Sequence, residues 1–173
     1  DAERMMGAAL AGAGRRELAL LDPCAELIRG FYFDYPGGRV AEGLARIDAG
    51  LARLEPIEVG DSRMLQAVGR GFRAAILADT GRYRACLEEA EAVHELSASV
   101  GMGSAPGLVS LWWRLTSLGC LGAWDAVLAL EPEVRRALAA GPGTNVAYRM
   151  SAGIARGSAA RGDPGDALAR IAA

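Results

Sequence analysis

The sequence predicts an all-α protein in which antiparallel helix hairpins stack against one another. Alanine, the residue that most favours helix, occurs 35 times among the 173 residues. Valine, isoleucine and threonine together number only 18, which is too few to build a large β-sheet. One short pattern also returns four times at nearly constant spacing. Composition and repeat together exclude sandwiches, barrels and doubly wound α/β folds.

Each copy of the repeated pattern begins with a glycine, and the four glycines are 43, 41 and 40 residues apart. A ring-bearing or branched residue follows two positions later, a small or medium-sized residue five positions later, and leucine six positions later. Glycine adopts the left-handed conformation that ends a helix, and the small residue lets the next helix approach. The glycines are Gly38, Gly81, Gly122 and Gly162. The predicted hairpin turns lie near residues 36–39, 79–82, 120–123 and 161–164.

The first hairpin is predicted to start at Asp22 and Pro23, which have the residue types of an N-cap and a first helical position. Its first helix runs to about Tyr32 before the turn, and its second helix covers residues 40–54. Residues 2–20 are then expected to be the end of a preceding repeat.

Apolar residues at three- and four-residue steps predict helices on both sides of the later turns. Asp61 or Ser62 is the predicted N-cap of the helix before the second turn. Pro106 marks the start of the helix before the third turn, and Pro132 is expected to kink or restart the helix after it. The last helix begins near Pro164.

The turn segments carry a family resemblance. Gly81-Arg82-Tyr83 and the segment from Gly162 to Leu168 resemble the turn and second-helix start of tetratricopeptide repeats, whose period is 34 residues. The longer, Ala- and Arg-rich helices here are similar to the repeat arrays that follow the ATPase module in bacterial LuxR-type transcriptional regulators and in ATPase-linked nucleotide cyclases. The resemblance covers residues 22–173. It implies a right-handed superhelical array, an α-solenoid like that of tetratricopeptide repeats.

The resemblance implies a function without catalysis. We expect residues 1–173 to form a single repeat domain, cut from a longer bacterial regulatory protein of the LuxR-type ATPase class. Such a domain would bind a protein partner, another domain of the same polypeptide or a small effector on its concave face. The alternative is a structural scaffold segment of an ATPase-linked adenylate or guanylate cyclase, with no ligand of its own. Flanking sequence would separate the two.

Net charge, the length of apolar stretches and the cysteine content exclude some classes of partner and favour one compartment. A formal net charge of −2 gives no dense positive patch for nucleic acid, so no direct contact with nucleic acid is expected. No apolar stretch approaches the roughly 20 residues of a membrane-spanning helix, so no membrane partner is expected either. Three cysteines without metal-ligand spacing favour a reduced, cytoplasmic setting.

The sequence contains no recognisable catalytic, metal or cofactor site. Its four Gly-x-Gly segments lack the following Lys-Ser/Thr of a phosphate loop, so no nucleotide cofactor is expected. His94 is the single histidine and is interpreted as structural, and Cys86 and Cys120 are interpreted as packing residues. Four nearby acidic residues are interpreted as a solvated helix face. These are Glu88, Glu89, Glu91 and Glu95.

Seven residues are candidates for ligand or partner binding. Arg73 and Arg114 both stand eight residues before a turn glycine, where two guanidinium groups could meet an anionic group. Salt bridges within the array are the alternative for these arginines. Adjacent tryptophans point about 100° apart on a helix, so one can enter the core while the other faces a groove. Core packing of both tryptophans is the alternative. The candidates are Arg70, Arg73, Trp112, Trp113, Arg114, Arg149 and Arg156.

Overall fold

A computed structural model describes residue 4 and residues 15–57, 60–99, 105–140 and 145–167. Every regular element in these ranges is helical, and none of the described residues forms a strand. The all-α prediction is therefore confirmed. Most of the predicted preceding repeat at residues 2–20 lies outside the described residues.

The helices follow one another along the chain with short connections. In chain order they are α1 (Arg15–Arg29), α2 (Val40–Leu54), α3 (Gly60–Asp79), α4 (Tyr83–Ser99), α5 (Ala105–Cys120), α6 (Trp124–Ala129), α7 (Glu131–Ala140) and α8 (Asn145–Ala160). Each helix packs on its neighbours in the sequence. The helices that precede turn glycines also contact one another, so that α3 lies against α5 and α5 against α8.

Left-handed glycines end the helices at the four predicted turns. Gly38, Gly81, Gly122 and Gly162 have φ values between 73° and 85°, and they are the described residues with a positive φ. At each turn the glycine N–H donates to the carbonyl three residues earlier, and the next N–H donates to the carbonyl five residues before it. This pair of bonds satisfies carbonyl groups that a helix end leaves without partners.

Small residues bring the two helices of each hairpin together. The residue five positions after each turn glycine is buried in all four hairpins. In the first hairpin the backbones approach closely: a Cβ on Gly30 would lie 2.6 Å from the Gly43 carbonyl oxygen, and one on Gly43 would lie 2.8 Å from the Gly30 carbonyl oxygen. The buried residues are Gly43, Cys86, Val127 and Ala167.

The first hairpin differs from its prediction at both ends of its first helix. Pro23 lies inside α1 rather than at its start, and it is fully buried beside Gly50 of α2. Burial of the ring offsets the helical hydrogen bond that proline cannot donate. Before the turn, Gly30–Asp34 forms one turn of π-helix, in which the Tyr35 N–H donates to the Gly30 carbonyl at 3.0 Å.

Two further predictions concerned helix starts. Helix α3 begins at Gly60, so Ser62 lies within it and is not its N-cap. The Ser62 hydroxyl instead donates to the Ile57 carbonyl at 2.5 Å, which fastens the preceding connection to α3. The side chain of Asp61 lies outside the described residues. Pro132 restarts the helix as predicted, because α6 ends at Ala129 and α7 begins at Glu131.

The hydrophobic core runs along the array as three connected clusters. The first joins α1, α2 and α3, the second joins α3, α4 and α5, and the third joins α5 to α8. Phe31 packs against the first and second clusters, and Trp112 packs against the second and third. These two aromatic side chains therefore link neighbouring repeats.

Candidate functional site

A groove of about 970 Å³ opens where the helices before the turn glycines meet. Helices α3, α5 and α8 supply most of its wall. The π-turn contributes Phe31, and the starts of α4 and α6 contribute Tyr83 and Trp124. We call this space the groove.

Helix α5 carries the aromatic wall of the groove. Trp113 is 8% exposed and packs in the second core cluster, whereas Trp112 is half-buried. Their ring centroids are 4.3 Å apart, with an angle of 22° between the ring planes. Further along α5, Thr116, Gly119 and Cys120 continue the same wall to the end of the helix.

Helix α8 carries the cationic wall. Arg149, Ala152, Gly153 and Arg156 line the groove, at the i, i+3, i+4, i+7 spacing of one helix face. The Arg149 Cζ atom lies 5.0 Å from the centroid of the Trp112 ring, within the range of a cation–π contact. The two small residues between the arginines leave the middle of this wall open.

Helix α3 borders the groove with Ala75, Ala78 and Asp79. The Tyr35 hydroxyl donates to Asp79 Oδ2 at 2.5 Å, so this carboxylate is already held by a neighbour. Because the hydrogen bond to the Asp79 carboxylate favours the neutral phenol, it raises the pKa of Tyr35 to about 12.

Where α4 and α5 border the groove, the Tyr83 hydroxyl meets the Cys120 thiol. Their hydrogen bond and the negative charge that the thiol can acquire raise the pKa of Tyr83. Cys120 is exposed at the groove, so the interpretation of this residue as a packing residue was wrong. Cys86 is buried as predicted, and burial raises the pKa of its thiol.

Arg70 and Arg73 point to a carboxylate of the same hairpin. Glu89 on α4 accepts from Arg70 Nη1 at 3.1 Å and from Arg73 Nη1 at 2.7 Å. Asp48 Oδ1 lies 3.1 Å from Arg73 Nε, which ties α3 to the preceding hairpin. Glu89 is only 8% exposed, so its interpretation as part of a solvated face was wrong. The other three glutamates of that group are exposed.

Arg114 has the equivalent arrangement one repeat later. Its Nη1 donates to both carboxylate oxygens of Glu133 on α7, at 3.1 and 3.0 Å. His94 Nδ1 lies 3.5 Å from the same carboxylate, so this histidine joins α4 to α7. The structure thus shows intramolecular salt bridges at Arg70, Arg73 and Arg114. Such salt bridges were the alternative to ligand binding in the interpretation of the sequence.

The seven candidate residues therefore separate into two groups. Trp112, Trp113, Arg149 and Arg156 line the groove together, whereas Arg70, Arg73 and Arg114 hold hairpins together and do not line it. The interpretation that Arg73 and Arg114 could together meet an anionic ligand group has no geometric support, because each already meets a carboxylate of this chain.

Several groove residues had no place among the sequence candidates. Tyr83 and Trp124 were interpreted as the ring residues that follow their turn glycines by two positions, and Phe31 only as part of the first predicted helix. The spacing of Arg149, Ala152, Gly153 and Arg156 on α8 was the available signal, since small residues between two arginines on one face leave room for a ligand.

No match emerged when the chain was compared with models of protein families, with curated proteins and with solved structures. Within the described residues, no group of three or more His, Cys, Asp or Glu side chains could hold a metal ion. The helices of the described part are all too short or too polar to cross a membrane.

Proposed function

We propose that this chain is a non-enzymatic sensor module that binds a small effector in the groove. In this proposal it is a repeat domain, like those of tetratricopeptide proteins, within a larger bacterial regulator of the LuxR-type ATPase class. The observation that carries the proposal is the groove itself, because three successive first helices (α3, α5 and α8) contribute to one lined space.

The repeated turn geometry supports a solenoid. The same left-handed glycine and the same two hydrogen bonds recur every 40 to 43 residues, and a buried small or medium-sized residue follows each glycine by five positions. In a right-handed solenoid of such hairpins, first helices line the concave side. The groove is bordered by first helices, as a concave binding face requires.

The lining of the groove supports binding over a purely structural role. Small-molecule sites are mostly apolar concavities of about 300–1,000 Å³ with a few placed polar groups. This groove has that size, five aromatic side chains among its lining residues and two arginines at one side. A scaffold segment without a ligand has no need to keep Trp112 half-buried at the edge of an open space.

A blocked groove tests the proposal. Ala152→Trp fills the middle of the α8 wall, and Ala159→Trp places the same side chain on an exposed position of the same helix. In a thermal-shift screen of small molecules, a groove ligand at about 100 times its Kd should raise the Tm of wild type and Ala159→Trp by about 5–10 °C. The blocked variant should not respond. Ligands that stabilise all three proteins equally would contradict the proposal and favour the scaffold alternative.

A further inference from the structure

We infer that the groove takes a small organic anion with a flat aromatic body, and that Arg156, together with Arg149, recognises its anionic group. This inference rests on the proposed function, because it names the chemical class of the effector. Three features of the groove carry it: the aromatic side chains, the charge of the α8 wall and the size of the space.

The aromatic side chains of the groove suit a flat ligand. All three tryptophans of the chain line it, together with Phe31 and Tyr83. Aromatic rings stack on planar partners at centroid separations of about 4.5–7 Å and gain more than their buried area provides. Trp112 and Trp113 stack on each other, and Arg149 lies over the Trp112 ring. The half-buried rings of Tyr83 and Trp124 therefore offer the remaining aromatic surface.

The charge of the α8 wall calls for an anion. Helix α8 has two arginines and no acidic residue along its whole length. Arg149 lies over Trp112, and no carboxylate among the described residues pairs with Arg156. The acidic groove residue, Asp79, lies on α3 and accepts from Tyr35. A ligand with its anionic group toward α8 therefore matches the charge of the groove.

The size of the space favours a small molecule over a protein segment. Stable protein interfaces bury about 800 Å² on each partner, over a broad and fairly flat surface. The groove is instead a concave, partly open space of about 970 Å³. Arg149 and Arg156 are two helical turns apart, a rise of about 10 Å, so both guanidinium groups can reach one ligand of that size.

A matched pair of dyes tests the anion requirement. The probe 8-anilinonaphthalene-1-sulfonate joins a planar naphthalene ring to a sulfonate, and N-phenyl-1-naphthylamine is the same ring system without the sulfonate. Both report binding by fluorescence, and energy transfer from the groove tryptophans reports proximity. We expect wild type to bind the sulfonate about tenfold more tightly than the neutral dye, because guanidinium and sulfonate form charge-assisted hydrogen bonds.

Two double variants separate the groove arginines from general charge. Arg149→Ala/Arg156→Ala should weaken binding of the sulfonate about tenfold. Arg63→Ala/Arg84→Ala, which removes the same charge from exposed positions outside the groove, should change it by less than twofold. The single variant Arg156→Ala keeps the Arg149–Trp112 contact and should give an intermediate loss even if the double variant folds poorly.

The outcomes distinguish this inference from the proposed function. If Ala152→Trp abolishes binding of both dyes but the arginine variants bind the sulfonate as wild type does, the anion inference is overturned and the groove remains a binding site. If both dyes bind Ala152→Trp as well as they bind wild type, both the anion inference and the proposed binding function of the groove are overturned. Equal losses in the two double variants would also overturn the inference.

Discussion

At the residue scale, arginine provides the cross-helix charge contacts. The chain contains no lysine, and a guanidinium group can offer several N–H donors in a fixed geometry. Two buried carboxylates each accept hydrogen bonds from two guanidinium groups. Glu89 accepts from Arg70 and Arg73, and Asp34 accepts from two arginines in the first hairpin. Hydrogen bonding to Arg39 and Arg46 lowers the pKa of Asp34.

Glu89 should be important for stability because it holds two arginines. We expect Glu89→Gln to lower the free energy of unfolding by about 2 kcal/mol. Losing a partner of a fully buried ion pair costs more, but the side chains of Arg70 and Arg73 are 36% and 34% exposed and remain partly hydrated. Urea unfolding measures the change. Glu88→Gln, at the exposed neighbouring position, is the control and should stay within about 0.5 kcal/mol of wild type; an equal loss there would refute the role given to Glu89.

Tyr35 should make stability depend on alkaline pH. Its folded pKa is raised to about 12 by the hydrogen bond to Asp79, so this contribution is fully present below the unfolded pKa near 10. The contribution is lost as the pH rises from about 10 through 12. Tyr35→Phe should therefore lose stability relative to wild type at pH 8, and the difference should shrink between pH 10 and 12. Tyr32→Phe, at an exposed position, is the control. A difference that stays constant up to pH 12 would contradict the assigned bond.

At the element scale, the turns were predictable because they depend on local chemistry. Glycine at a positive φ and a small residue five positions later are features that a single hairpin requires. The π-turn at Gly30–Asp34 and the interior position of Pro23 were not predictable. Both depend on close packing of α1 against α2, through Gly43 and Gly50, and sequence spacing does not reveal such tertiary contacts.

Two glycines test the turn geometry with the same substitution. Gly81→Ala forces alanine into the left-handed region at φ 76°, which should cost about 1–2 kcal/mol. Gly71 lies inside α3, and an added Cβ there would meet no atom within 4 Å. Gly71→Ala should therefore stabilise the protein by about 0.5–1 kcal/mol, because alanine favours helix. Thermal unfolding distinguishes the two signs. Destabilisation of equal size at both positions would argue against the turn assignment.

At the scale of the whole molecule, the candidate site was only partly predictable. Sequence alone marked Trp112, Trp113, Arg149 and Arg156, which do line the groove. It also marked Arg70, Arg73 and Arg114, because whether an arginine meets a carboxylate of the chain depends on the register of the partner helix, which the sequence does not show. Glu89 follows its turn glycine by 8 residues, and Glu133 follows its own turn glycine by 11. Because this spacing is not constant, the sequence pattern does not predict which carboxylate pairs with the arginines.

The three tryptophan side chains provide the most direct test of the central claim that first helices from successive repeats form one ligand site. Each indole N–H gives a separate signal in a ¹H–¹⁵N correlation spectrum, and all three rings line the groove. Titration with 8-anilinonaphthalene-1-sulfonate should shift all three signals along one saturable curve with a single Kd. Three shifts with different midpoints, or indole signals that stay unchanged while fluorescence shows that the dye binds, would contradict a single groove.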